Sequence, residues 1–282
     1  MRKRISFISV LTMFLAIGFA IIFSRPVKAA ADGVLLKANR TYTAYDVTGD
    51  GTKDKIRIRA ANQTDDETYT SLTVSVNGKT AYRLKNTRFY NVIANIYTLK
   101  NGQPFLYLYA PADNGDGPVC ALLKYTNGKF RKALDFTEIM AGYGNHRIGE
   151  VTNLNGNKIV ITESIVSYSL GINAINFTYK YVNGKFVPTS RYGSYKEIYS
   201  ADGSSRYFTV NSDLPAYARP GATAVNTTLK TGSLTKIIKC ALISGKMYIQ
   251  LECDGEIYWI KALENPPISD SERQFMEVRY AG

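Results

Sequence analysis

The amino-acid sequence predicts an all-β fold, with a region of blade-like β-repeats followed by a small β-barrel. Asn-Gly and Asp-Gly pairs, which suit tight hairpin turns, recur along the first two thirds of the chain at a nearly constant spacing. The segments between these turns alternate apolar and polar residues and are rich in Tyr, Val, Ile, Phe and Thr, as half-buried strands are. The C-terminal third carries a further series of short strand-like segments.

Composition limits the class of protein. The 282 residues correspond to one large domain or two modest ones, and a share of 45% hydrophobic and 21% charged residues excludes a wholly disordered chain. Three cysteines exclude a disulfide-dense scaffold, and we expect Cys120, Cys240 and Cys253 to be buried thiols. The single histidine, His146, excludes most histidine-based metal sites.

The first thirty residues have the pattern of a secretory signal peptide. Arg2, Lys3 and Arg4 precede an apolar stretch from residue 5 to residue 23, and small residues follow it. We therefore predict a signal peptide at residues 1–30 and a secreted chain at the extracellular cell surface. The alternative is an uncleaved anchor, in which case the protein contacts a membrane only through this segment.

The charge of the mature chain is moderately positive. Residues 1–29 hold five of the 35 basic residues and none of the 23 acidic ones, so the remainder keeps a net charge of +7. The sequence contains no run of five like charges and therefore gives no support to a nucleic-acid partner. A mildly positive extracellular protein favours anionic wall polymers, although solubility alone also explains the charge.

An internal repeat organises residues 31–190. Six Asn-Gly or Asp-Gly turns fall into two phased series, and within each unit the two turns lie 26 to 28 residues apart. Each unit of about 52 residues has room for about four short strands, which is the size of a propeller blade. The six turns begin at Asp50, Asn77, Asn101, Asn127, Asn155 and Asn183.

The first of these turns carries the most specific motif. Residues 46–54 read Asp-Val-Thr-Gly-Asp-Gly-Thr-Lys-Asp, which resembles the calcium loop of the FG-GAP or VCBS-type repeats of integrin-like propellers. The resemblance implies that each unit is a propeller-like blade. Because propellers usually close with four to eight blades, three units imply an open stack, an incomplete propeller or a compact variant.

The resemblance also implies a structural Ca²⁺ ion as the candidate cofactor of this loop. Ca²⁺ takes six to eight oxygen ligands, and Arg57 stands where an EF-hand requires glutamate, so an EF-hand is excluded. The alternative is a polar turn without an ion, held by hydrogen bonds between side chains and the backbone. The candidate metal ligands are Asp46, Thr48, Asp50, Thr52 and Asp54.

The C-terminal third is predicted to be a separate small β domain at residues 206–282. It follows a linker at residues 191–205, for which we expect a short helix around residues 195–199. Its segments at residues 214–217, 229–237 and 258–261 resemble those of the bacterial SH3-type family. Members of that family bind cell-wall peptides or glycans or accompany wall enzymes, so the resemblance implies a wall ligand.

The same resemblance implies an aromatic groove. Tyr258 stands where the family usually has glycine, directly before Trp259. The alternative is that Trp259 and Tyr248 fill the core of the small barrel. The candidate ligand-binding residues are Tyr217, Tyr248, Tyr258 and Trp259.

Catalytic chemistry has little support in the sequence, and we expect a protein that is not an enzyme. The most specific candidate for nucleophilic catalysis is Cys120 with His146 as its base, but Cys120 lies in an apolar, strand-like segment. Glycosidase chemistry needs two facing carboxylates. Nothing in the sequence fixes a spacing between the available ones, which are Asp135, Glu138, Glu150 and Glu163.

These observations predict a secreted, non-catalytic protein of a Gram-positive-like cell surface. We expect it to bind cell-wall peptide, cell-wall glycan or another surface protein. One alternative is a protein partner that regulates a cell-wall hydrolase, and another is a divergent glycan-cleaving enzyme.

Overall fold

A computed structural model describes residues 34–113, 116–198 and 206–279 of the chain. Nearly all of the regular structure in these ranges is β-strand, which confirms the predicted all-β class. The signal peptide predicted for residues 1–30 lies outside the described residues. In the part of the chain that the structure describes, no helix is long and apolar enough to cross a membrane.

After the short strand β1 (Val34–Leu36), the segment predicted to be the first repeat unit forms a four-stranded antiparallel meander, here called the first sheet. Strand β3 shows the alternation most clearly, since Ile56 and Ile58 are fully buried while Lys55, Arg57 and Arg59 are exposed. Asn77 and Gly78, in the turn before its last strand, both adopt positive φ, which Asn-Gly pairs tolerate. The strands are β2 (Arg40–Tyr45), β3 (Asp54–Gln63), β4 (Tyr69–Val76) and β5 (Lys79–Phe89).

The segment predicted to be the second repeat unit forms the middle sheet, whose own strands are β6 (Ile93–Thr98), β7 (Pro104–Ala110), β8 (Val119–Thr126) and β9 (Lys129–Asp135). Strand β1 pairs with β6, so the order of the sheet is β1-β6-β7-β8-β9. The start of the described chain thus adds an edge strand to the second unit and not to the first. A short 3₁₀ helix, Phe136–Glu138, follows β9.

The third unit begins a nine-stranded sheet, here called the long sheet, which continues into the C-terminal region without a break. Its main path runs β10-β11-β12-β14-β18-β19-β20, with β13 paired to β12 and β15 paired to β18. Its strands are β10 (Gly144–Asn155), β11 (Lys158–Ser167), β12 (Gly171–Val182), β13 (Lys185–Pro188), β14 (Tyr192–Ile198), β15 (Tyr207–Thr209), β18 (Leu234–Ile243), β19 (Lys246–Cys253) and β20 (Glu256–Lys261).

A two-stranded hairpin of β16 (Leu214–Ala216) and β17 (Thr227–Leu229) folds over the end of the long sheet. Tyr217, just after β16, exchanges backbone hydrogen bonds with Trp259 of β20, at 2.7 and 2.9 Å. A second isolated bridge joins Val210 to Phe275, close to a 3₁₀ helix at Asp270–Glu272. These contacts attach the C-terminal segment to the same sheet.

The three sheets stack face to face, with the middle sheet covered on both sides. In β7, Leu106 and Leu108 pack with residues of the first sheet, while Phe105 and Tyr107 pack with residues of the long sheet. This explains why β7 and β8 are apolar on both faces, unlike the alternating strands of the first sheet. Within the described residues, the stack is not closed into a propeller or a barrel.

The structure differs from the sequence prediction at the linker expected for residues 191–205. Strand β14 lies in this segment and pairs with β12 on one side and β18 on the other, so the expected short helix is a strand as far as Ile198. The physical reason is burial: Tyr195 and Ile198 enter the main core. Residues 199–205 lie outside the described part.

Candidate functional site

The structure brings three of the four predicted groove residues together. Tyr217, Tyr248 and Trp259 form a small cluster with Ala241 on the outer face of the long sheet. The fourth, Tyr258, points to the opposite face and packs half-buried against the main core. Alternation along β20 explains the separation, because neighbouring residues of a strand face opposite sides.

The three clustered rings are almost closed to solvent. Trp259 is 4% exposed, Tyr217 7% and Tyr248 5%. Their packing corresponds to the alternative in which these aromatic side chains fill a small core beneath the hairpin. A ligand at this face therefore cannot contact these three rings directly and would contact the side chain that covers Trp259.

Tyr192, at the start of β14, is the residue on top of Trp259. It is 41% exposed, and its ring lies 5.9 Å from the Trp259 ring, centroid to centroid, at an interplanar angle of 36°. Sequence reasoning missed Tyr192 because it assigned the residue to a linker. The available signal was the alternation of Tyr192, Ser194 and Lys196, all exposed, with the buried Gly193 and Tyr195.

Basic side chains surround these rings. The Lys239 ammonium lies 4.7 Å from the centroid of Tyr192 and 6.0 Å from that of Trp259, while the Arg191 guanidinium lies 5.8 Å from Tyr192. Lys261 is placed similarly over Tyr217, at 5.1 Å. Such distances are typical of cation–π contacts. We call this surface the aromatic face; it consists of Arg191, Tyr192, Tyr217, Lys239, Trp259 and Lys261.

A row of polar side chains continues the aromatic face across the long sheet. Each member lies directly opposite the next on the neighbouring strand, and Thr162 donates a hydrogen bond to the side-chain oxygen of Asn176 at 2.7 Å. Adjacent strands lie about 4.8 Å apart, so seven strands span roughly 30 Å. The row is Glu150, Thr162, Asn176, Ser194, Lys239, Gln250 and Trp259.

The predicted calcium loop is closed by hydrogen bonds to its carboxylates. Asp46 accepts from the backbone N–H groups of Gly49 at 2.6 Å and Gly51 at 2.8 Å, and from the Thr48 hydroxyl at 3.2 Å. Partial desolvation raises the pKa of Asp46, but the hydrogen bonds from Gly51, Gly49 and Thr48 outweigh it, so the pKa lies below its ordinary value. Asp50 accepts from the backbone N–H of Thr52, another candidate ligand, at 2.8 Å.

Asp54 ends the loop as a buried, fully paired carboxylate. It is 1% exposed and accepts from the N–H groups of Val47 at 2.7 Å and Thr48 at 2.9 Å, and from the side-chain amide of Asn77 at 2.6 Å. Among the described residues, no group of three or more His, Cys, Asp or Glu side chains forms a cluster able to hold a metal ion. Hydrogen bonds alone account for the shape of the loop, as in the alternative of a polar turn without an ion. The calcium ion implied by the resemblance stays an expectation from the sequence.

The nucleophile considered in the sequence lies in a core environment. Cys120 contacts the Tyr107 hydroxyl at 3.7 Å and the Gly149 carbonyl at 3.4 Å, and burial raises its pKa to about 12. His146 instead lies 3.3 Å from a carboxylate oxygen of Asp116. A thiol held protonated in this way is a poor nucleophile at neutral pH. All three cysteines are buried and free, which confirms the expectation for them.

The carboxylates considered for glycan cleavage have different surroundings. Glu163 is fully buried, and neither of its oxygens has a hydrogen-bond partner in the described part of the chain. Glu150 is half-buried beside Lys196, whose ammonium lies 4.0 Å away. Glu138 is exposed, while Asp135 caps the short 3₁₀ helix by accepting from Thr137. Glu163 is therefore placed to affect stability and not to reach a polymer.

We compared the chain with protein families, curated proteins and solved structures. The chain matches no family model, no curated protein and no solved structure.

Proposed function

We propose that this chain is a secreted, non-catalytic protein of the cell surface that holds cell-wall peptide or glycan at the aromatic face. The observation that carries the proposal is the exposed Tyr192 ring, backed by the buried Trp259 and flanked by Lys239 and Arg191. The pattern of the N-terminal segment and the resemblance to SH3-type domains support it, the latter by analogy alone.

The chemistry of the aromatic face suits a wall ligand. An exposed aromatic ring stacks on the apolar side of a sugar or on a planar peptide group, and it loses little conformational freedom because Trp259 already fixes it. Lys261 and Arg191 are exposed and supply positive charge for the carboxylates of wall peptides. No ion pair among the described residues involves either of them.

The position of the face on the sheet also supports binding. Tyr192 and Trp259 lie on two strands of one continuous sheet whose other face packs into the main core. A site on rigid strands holds its side chains more accurately than a site on loops. The polar row beside it gives hydroxyl, amide and amine groups for hydrogen bonds to an extended polymer.

The test is co-sedimentation of the mature chain, from about Ala30, with purified cell-wall sacculi. We expect the unchanged protein to pellet with the sacculi at physiological salt. Tyr192→Ala is expected to weaken binding about tenfold, because it removes a stacking contact worth about 1 kcal/mol and the cation–π contact of Lys239 with the ring. Tyr90→Ala is the matched control, because Tyr90 is 47% exposed but follows the first sheet.

Other outcomes point to the alternatives. Absence of pelleting in all conditions would overturn the proposal. In that case, a stable complex with a wall hydrolase would favour a regulatory protein partner. Clearing of a sacculus suspension, lost on substitution of one acidic residue, would favour glycan cleavage. Equal losses for Tyr192→Ala and Tyr90→Ala would remove the aromatic face from the binding site.

A further inference from the structure

The outer face of the first sheet carries a concentration of positive charge. In β3, Arg57 and Arg59 are exposed while the neighbouring Ile56 and Ile58 are buried, so both arginines lie on the side away from the middle sheet. In β5, Arg83 and Lys85 are likewise exposed. We call Lys55, Arg57, Arg59, Arg83 and Lys85 the basic face.

Strand pairing sets the spacing of these charges. Thr73 of β4 lies opposite Arg59 on one side and opposite Arg83 on the other. The two arginines are thus two strands apart, about 10 Å, while Arg57 and Arg59 are two residues apart along one strand, about 7 Å. Between them stand hydroxyl side chains, with Ser75 opposite Arg57.

The charges of the basic face are not neutralised within the sheet. The four strands β2 to β5 contain eight basic residues and one acidic residue, the buried Asp54. Of those eight, only Arg88 takes part in an ion pair of the described residues, with Asp66. The other acidic residues of this segment lie in the loops at the strand ends, residues 46–50 and 65–67. The positive charges of this face are therefore available to a bound anion.

We propose that the basic face binds a polymer that carries repeated phosphate groups. Arginine offers a planar set of donors that matches phosphate oxygens in pairs, and serine and threonine hydroxyls between the arginines add further donors. A lipid surface is disfavoured, because none of the large apolar side chains exposed among the described residues lies in β2 to β5. The site is separate from the aromatic face, which lies on the outer face of the long sheet.

The test measures binding of a soluble poly(glycerol phosphate) chain to the mature protein by calorimetry. Arg59→Gln with Arg83→Gln is expected to weaken binding about tenfold and to flatten its dependence on NaCl concentration, since two charge contacts are lost. Lys158→Gln with Lys180→Gln is the matched control. These two exposed lysines lie opposite each other on the long sheet, and their substitution removes the same amount of positive charge. The control pair is expected to bind as the unchanged protein does.

Additional variants and a vesicle measurement distinguish loss of the site from loss of the fold and from binding to a membrane. Arg57→Gln with Lys85→Gln repeats the test should the first pair unfold, and urea midpoints show which variants are folded. Equal losses for the basic-face and control pairs, or no binding of the polymer, would overturn the proposal. Binding to phosphatidylglycerol vesicles without binding to the polymer would replace it with a membrane surface. Tyr192→Ala is expected to keep polymer binding unchanged, so failure at one face is distinguishable from failure at the other.

Discussion

The side-chain amide of Asn77 donates a hydrogen bond to the carboxylate of Asp54 at 2.6 Å, across 23 residues of sequence. The side-chain oxygen of Asn77 also accepts a hydrogen bond from the backbone N–H of Lys55 at 2.8 Å. The backbone N–H of Asn77 in turn donates to the Lys55 carbonyl at 2.9 Å. The Asn-Gly turn of the unit is thereby tied to the end of the Asp-Gly loop. This gives a physical reason for the spacing of 27 residues between Asp50 and Asn77, which begin the two turns of this segment.

The first prediction concerns Asp54. Asp54→Ala removes the common acceptor of the Val47 and Thr48 N–H groups and of the Asn77 amide, and leaves these donors unsatisfied in a buried place. We expect a loss of about 1–3 kcal/mol in the free energy of unfolding, measured by urea denaturation. Asp50→Ala is the control and should cost less, because the Asp50 carboxylate is exposed. Similar losses for both variants would show that the buried hydrogen bonds of Asp54 stabilise the fold no more than the exposed ones of Asp50.

The second prediction concerns calcium at the same loop. Because hydrogen bonds already hold Asp46 and Asp54, we expect the melting temperature to be the same within about 1 °C in 5 mM CaCl₂ and in chelator. An ion bound with the affinity of extracellular modules, about 10⁻⁴–10⁻³ M, would instead add about 1–2 kcal/mol at that concentration. Such a stabilisation, absent in Asp50→Asn, would establish the calcium site.

The turns and the strands beside them could be predicted from the sequence because the signals are local. An Asn-Gly turn needs positive φ at its own residues, and Asn77, Asn127 and Asn183 all adopt it. The alternation of Ile56 and Ile58 with charged residues likewise reports a strand with one solvated face. These signals involve neighbours in the chain, so one sequence suffices to recognise them.

The remaining features depend on partners distant in sequence. The pairing of β1 with β6, and the burial of both faces of β7, follow from how the sheets stack, which local patterns do not encode. The exposed position of Tyr192 and the burial of Trp259 have the same origin, because the chain between them forms several other strands. Of the four residues predicted for the groove, Tyr217, Tyr248 and Trp259 therefore share one face but are buried, Tyr258 lies on the opposite face, and the exposed ring is that of Tyr192.

The third prediction concerns Glu163, in the core between the middle and long sheets. Burial raises the pKa of its carboxyl well above the ordinary value of 4.5; the nearby Arg147 opposes this and Asp135 adds to it. Cys120 of β8 and Tyr179 of β12 also face this carboxyl. The folded chain therefore keeps a proton that the unfolded chain releases above pH 4.5. We expect stability to fall, by up to about 1.4 kcal/mol per pH unit, from pH 4.5 up to the raised pKa.

Urea denaturation from pH 5 to pH 8 tests this sign. Glu163→Gln keeps the shape of the protonated side chain and cannot ionise, so its stability should change less with pH and should exceed that of the unchanged protein at pH 8. Glu138→Gln is the control, since Glu138 is exposed, and should follow the unchanged protein. A parallel pH dependence in Glu163→Gln would show that another group is responsible.

The fourth prediction concerns the boundary at residues 205–206. A fragment of residues 206–282 loses the pairing of β14 with β18 and exposes Ile237, Cys240 and Phe208, which are fully buried in a core shared with the preceding strands. Exposure of such side chains costs about 1.5–3 kcal/mol each, which approaches the whole stability of a small domain. We expect the isolated fragment to unfold without cooperativity and to shift the emission of Trp259, the sole tryptophan, to longer wavelength. A cooperative transition with buried-tryptophan emission would instead show an independent domain, and the continuity of the long sheet would then be a contact between two folding units.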